Sequence, residues 1–163
     1  MTALPRWVAG AHPRRTAARV LVIVAFSAAL FGWVLLPVRG VGVSMRPTIR
    51  PGELVFVSRL TYLWRAPRAG DVVAVRLAGR SVVYVKRLVA LPGQTVAFER
   101  GVLVVDGAPQ AEPYVRERAD WQMAPARLGP DQYFVVGDNR GMPRANHDMG
   151  AVRRERLVGT VVF

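Results

Sequence analysis

From Val20 to Val38 the chain runs nineteen residues without a charged side chain, and no other feature restricts its fold as much. At about 1.5 Å per residue a helix of that length approaches the roughly 30 Å hydrocarbon core of a bilayer, so the run predicts one transmembrane helix over 20–38. Arg6, Arg14, Arg15 and Arg19 precede it. The positive-inside rule then keeps residues 1–19 in the cytoplasm, while a long C-terminal domain, 39–163, crosses despite its own arginines. A cleavable leader is the competing reading. The run exceeds the usual apolar stretch of about 7 to 15 residues in a leader, and no small-x-small site follows before Pro37. A buried core helix fits less well, because no polar face interrupts the run.

Beyond Arg39 the pattern is β with turn punctuation, and the expected fold class is all-β, an antiparallel-sheet domain behind the membrane helix. Glu53 to Ser58, Asp71 to Leu77, Ser81 to Leu91 and Tyr133 to Gly137 are rich in valine and aromatic residues, with Pro-Gly, Ala-Gly and Pro-Asp pairs at the turns. Thr95 to Glu99 and Val102 to Val105 flank Arg100-Gly101 as a hairpin, and Leu157 to Phe163 closes the chain as a strand. Ala108 to Asp131, with its prolines, reads as a surface excursion.

Composition narrows the chemistry. The 163 residues include no cysteine, which removes disulfides and thiolate sites. His12 and His147 fall on opposite sides of the apolar run, so neither a multi-histidine metal centre nor any other cofactor is expected. The net charge of +12 comes from arginines spread through every segment, without a basic stripe interleaved with stacking aromatics. That argues against nucleic acid as a partner and for anionic membrane lipid. Leu60-Thr-Tyr-Leu-Trp-Arg65 reads equally well as an interfacial anchor or as a loop cluster over the core.

Among twenty-three basic residues only Lys86 is lysine. It sits in an apolar strand run, where alternation gives it the same face as Val82, Tyr84 and Leu88 and sends Arg87 to the other side. A lysine on a strand reads first as a surface residue. Arginine cannot act as a base, however, whereas a lysine buried among apolar groups loses its proton readily. Ser44 lies in Gly40-Val-Gly-Val-Ser-Met-Arg-Pro-Thr-Ile-Arg-Pro-Gly52, where glycines before and prolines after fix a non-helical course. Alone it reads as a turn residue. A neutral lysine amine within reach would make it a nucleophile.

Three stretches together, Ser44-Met-Arg-Pro-Thr-Ile-Arg-Pro-Gly52, Tyr84-Val-Lys-Arg-Leu-Val-Ala-Leu-Pro-Gly93 and Gly137-Asp-Asn-Arg140, resemble the conserved boxes of the type I signal peptidases, membrane-bound Ser/Lys endopeptidases. The resemblance runs from about Val20 to Phe163. It implies that Ser44 is the nucleophile, Lys86 the general base and the Ser44 backbone N–H an oxyanion donor, with signal-peptide-bearing pre-proteins as substrates. Many relatives place a second oxyanion donor, a serine, where this chain has Gly42. The third box also departs from the pattern: Pro143 stands for a serine, and Ala145-Asn146-His147 for an Asp-Ser-Arg triplet, with Gly150 at its expected distance. In the family those residues orient the lysine and brace the site, so Asp138, Asn139, Asn146 and His147 become the candidates for that supporting role.

Three other readings compete. A Ser44/His147 pair with Asp138 or Asp148 has the residue types for triad chemistry, but it makes the lone lysine a coincidence. Self-cleaving repressors share a related Ser/Lys β-domain but carry a helix-turn-helix rather than a membrane span. A membrane-anchored binder that holds pre-proteins without cutting them would explain the altered third box, but not the retained Ser44 and Lys86.

Overall fold

The computed structural model describes residues 13–76 and 83–163. Arg6, His12, Leu77 and Ser81–Val82, which entered the readings above, lie outside the described residues. Helix α1 spans Pro13–Ala29 and passes into one π-helical turn, Leu30–Val34. The helical segment Arg14–Val34 has a mean hydropathy of 2.0 and is long enough to cross a bilayer. Leu21, Val22, Ile23 and Phe26 are each more than 60% exposed, so among the described residues this helix has no apolar cover.

The helix does not continue to Val38 as the hydropathy suggested. Residues Leu35–Arg39 form strand β1, paired antiparallel to β2, Leu54–Ser58. Pro37 explains the change: the residue before a proline is pushed out of the helical region, and a proline lacking its N–H is tolerated on a sheet edge, which β1 occupies. Leu36 and Val38 then pack against a core cluster containing Val55, Val57 and Ala74. The junction is tied down. Arg59 N–H donates to the Val34 carbonyl at 2.9 Å, its guanidinium to the Gly32 carbonyl at 2.6 Å, and Phe31 meets Phe56 at 6.1 Å between ring centroids.

The remaining strands are β3 Val72–Arg76, β4 Val83–Ala90, β5 Thr95–Glu99, β6 Val102–Val105, β7 Ala108–Pro109, β8 Met123–Arg127, β9 Gln132–Val136, β10 Gly150–Arg153 and β11 Leu157–Val162. They form two antiparallel sheets, β1-β2-β11-β3-β4-β9-β10 and β7-β6-β5-β8. A cluster that includes Val89, Phe98, Leu103, Trp121 and Phe134 draws on both sheets. Ala108 to Asp131 is therefore more than a surface excursion: it contributes β7 and β8 to the second sheet, and Trp121 is 2% exposed.

One row of cross-strand partners fixes the height of the site. Leu35 opposes Ser58, Ser58 opposes Thr160, Thr160 opposes Val73, and Val73 opposes Lys86. Lys86 thus shares a row with the first residue after the helical segment. Because the strands alternate in direction, residues of β4 before Lys86 lie toward the helix and those after it lie away.

Short helix α2, Thr61–Trp64, follows β2, and the Thr160 hydroxyl of β11 donates to that of Thr61 at 2.8 Å. Its residues divide. Tyr62 donates to Asp71 at 3.2 Å, and Arg65, just after the helix, makes two 2.8 Å bonds to the same carboxylate, whereas Leu63 and Trp64 are 74% and 85% exposed.

Candidate active site

Ser44 is presented by a turn between β1 and β2 whose apolar residues Met45 and Ile49 are buried and hold the turn against the sheet. Lys86 sits in β4 with both neighbouring strands paired, and only 3% of it is exposed. The two side chains meet: Lys86 Nζ donates to Ser44 Oγ at 2.8 Å. Burial pushes the lysine below its ordinary pKa of 10.5, and the Asp148 carboxylate pulls it back only in part. Lys86 and Ser44 share a cleft of about 360 Å³, walled on one side by Val38–Gly42 and on the other by Val83–Val85, with Asp148 at its border.

The four residues of the third box each hold a different neighbour. Gly137 packs where no side chain fits, since a Cβ there would collide with the Ser44 carbonyl oxygen and the His147 ring. Asp138 accepts from the Thr48 hydroxyl of the nucleophile turn and from Arg87 at 2.6 and 2.8 Å, an ion pair whose carboxylate is wholly buried. Arg87 also donates to the Gly70 carbonyl at 2.8 Å and stacks 3.8 Å from the centre of the Tyr114 ring. Asn139 staples the turn directly: its backbone N–H donates to the Ser44 carbonyl at 2.9 Å and its side-chain amide to Val43 at 3.1 Å. Arg140, 1% exposed, is clasped by Glu112 and donates to the Gly137 carbonyl at 2.8 Å.

The side chains of His147 and Asn146 make no hydrogen bond to Ser44 or Lys86 among the described residues. Asn146 is exposed on a single turn of 3-10 helix. His147 is buried, and among the described residues neither ring nitrogen makes a well-aligned hydrogen bond. Its ring lies edge-on to Trp121, 4.9 Å between centroids, and fills the space against Gly137 beneath the Ser44 carbonyl. Desolvation, with the Lys86 and Arg140 charges, holds it down to about 4, and the Asn139 backbone and Asp148 only partly oppose this. The ring is thus a neutral packing element. The Ser44/His147 triad is not formed either, since Ser44 Oγ faces Lys86 and Asp138 is committed to Arg87 and Thr48.

Sequence reading missed the Glu112–Arg140 pair and the Tyr114–Arg87 stack. Glu112 and Tyr114 lie in an irregular proline-containing stretch with no periodicity to mark them as inward-facing. Trp121 alone, a large aromatic in that stretch, was a usable signal.

A helix long and apolar enough to cross a membrane leads into a paired antiparallel β-domain in which one buried lysine meets a turn serine. The family model described as "Signal peptidase, peptidase S26" matches residues 14–163, and the chain belongs to that family. Relatives include a probable signal peptidase I-1 of Synechocystis sp., 30% identical over 74% of this chain and 65% of its own length, and a signal peptidase I of Leptolyngbya laminosa, 31% identical over 73% and 63%. A signal peptidase I of Bacillus licheniformis is 28% identical over 88% of this chain and 83% of that one. The chain thus spans just under two thirds of the length of the Synechocystis and Leptolyngbya relatives.

Proposed function

We propose that this protein is a signal peptidase that uses a Ser44/Lys86 dyad to cut signal peptides from exported pre-proteins at the membrane surface. The observation that carries this reading is the 2.8 Å contact between Ser44 Oγ and a lysine amine that burial drives toward its neutral form. In the neutral state the amine accepts the serine proton as Oγ attacks the scissile carbonyl carbon. The tetrahedral oxyanion is held by the Ser44 backbone N–H. The resulting ammonium returns a proton to the departing amine, which leaves an ester on Ser44. Water then attacks that ester, Lys86 takes its proton, and Ser44 regains a hydroxyl.

The cleft suits an extended peptide, because strand-like walls at Val38–Gly42 and Val83–Val85 flank it and valines line much of it. The shared row of Leu35 and Lys86 keeps the reacting atoms level with the helix exit, near a bilayer that α1 would span. In this proposal residues 1–19 are cytoplasmic, the apolar helix spans the membrane, and the β-domain lies outside with Leu63 and Trp64 turned to lipid headgroups. Ser44→Ala is the direct test. The variant should keep its fold and its membrane association and lose all cleavage of detergent-solubilised pre-proteins; cleavage at the normal rate would remove Ser44 from the reaction.

A further inference from the structure

The second concavity of the domain lies just past the nucleophile. About 650 Å³ in volume, it is bordered by Arg46, Arg50 and Arg116, with Glu117 and Asn139 on its wall and Asp138 at its base. Arg46 and Arg50 come from the Ser44 turn itself, and Arg116 from the stretch between β7 and β8. All three are exposed, and their guanidinium groups make no hydrogen bond or ion pair among the described residues. The Asp138 carboxylate is already taken by Arg87 and Thr48. Three unpaired cations therefore face one unpaired anion, Glu117.

Direction follows from the strand register. The Val83 end of β4 lies toward the membrane helix, Lys86 is level with its exit, and Arg87, with its partner Asp138, lies beyond. A precursor whose apolar segment shares the bilayer with α1 reaches the cleft from the helix side. Its chain passes Val83–Val85, presents the scissile bond at Ser44, and continues over Arg46 into the basin. Resting on the proposed function, we infer that the Arg46–Arg50–Arg116 basin receives the first residues after the cleaved bond and selects precursors carrying Asp or Glu there. Long-range attraction of this kind acts on productive docking and weakens with salt.

The test uses the full chain in vesicles and three precursors identical up to the cleaved bond, with Glu, Gln or Lys at the second to fourth residues after it. At low salt kcat/KM should fall in the order Glu, Gln, Lys, by about five- to tenfold between the extremes, mainly through KM. The order should compress at high salt and vanish in the combined variant Arg46→Gln, Arg50→Gln, Arg116→Gln. Equal cleavage of all three precursors overturns the inference. So does a loss in the triple variant that depends on vesicle composition, phosphatidylcholine alone against equal parts phosphatidylcholine and phosphatidylglycerol, and not on precursor charge; that result assigns the basin to lipid headgroups. Binding of the same precursors to Ser44→Ala protein separates the two claims. Affinity ordered by charge supports the basin even where cleavage fails, and affinity independent of charge rejects it even where cleavage succeeds.

Discussion

At the scale of single residues, the proposed mechanism depends on keeping one lysine uncharged. Burial lowers the Lys86 pKa and Asp148 opposes it, so the two effects can be separated by mutation. Asp148→Asn removes an anion that favours the ammonium, and the rising limb of activity against pH should move to lower pH. An unmoved limb, or one shifted upward, contradicts the electrostatic reading. His147 gives a second check through stability. Its folded pKa, about 4, lies below the ordinary 6.5, so the unfolded chain binds more protons between those values. Its contribution is intact above pH 6.5 and is lost as pH falls toward 4, amounting to about 2 kcal/mol once some solvent screening is allowed. His147→Phe keeps the ring against Trp121 and removes the titration. Its melting temperature should fall less between pH 7 and pH 4 than that of the parent, and parallel falls would show that the histidine carries no such penalty.

At the scale of elements, the Gly137–Arg140 segment holds the nucleophile turn together with the turn's own buried Met45 and Ile49. Asp138→Asn leaves Arg87 buried without a full counter-charge, a change that costs about 3 kcal/mol or more. Chemical denaturation should register that loss, together with reduced cleavage, because an amide offers Arg87 and Thr48 one acceptor oxygen where the carboxylate offered two. A stable, fully active variant would mean the ion pair is incidental. The α2 residues offer a separate test. With no cysteine in the chain, Trp64→Cys provides a single labelling site, and a probe there should be quenched by lipid-borne quenchers in vesicles but not in detergent-free buffer controls. Quenching only by aqueous reagents would place α2 away from the bilayer. Much of this level was legible beforehand. Valine-rich runs and paired turn residues gave most strands of the main sheet, because β-branched and aromatic enrichment marks a strand even where consecutive residues are buried. The end of the helix was not, since lipid and a β-sheet core both accept Leu35, Leu36 and Val38, and only Pro37 distinguished them. Glu112 was hidden for the opposite reason: a buried charge in an irregular segment is recognisable only through Arg140, its distant partner.

At the scale of the whole molecule, the two motifs that mattered most were readable as residues, Ser44 and the only lysine, but their meeting was not. It depends on a turn after β1 being folded over β4 across three intervening strands of the sheet. Of the residues singled out in the third box, Asp138 and Asn139 bond to the nucleophile turn, while His147 packs against Trp121 and Asn146 stands in solvent. The proposed topology predicts that protease added to cells stripped of outer barriers digests the β-domain and spares the segment before the apolar helix; a C-terminal reporter active only in the cytoplasm would reverse it. The central claim is that Lys86 serves as a base and not as a cation, and Lys86→Arg tests it most directly, because it preserves the charge and removes the ability to give up a proton. The account predicts a folded, membrane-bound Lys86→Arg protein that cleaves no pre-protein at any pH from about 6 to 10. Cleavage by that variant at the parent rate would contradict it.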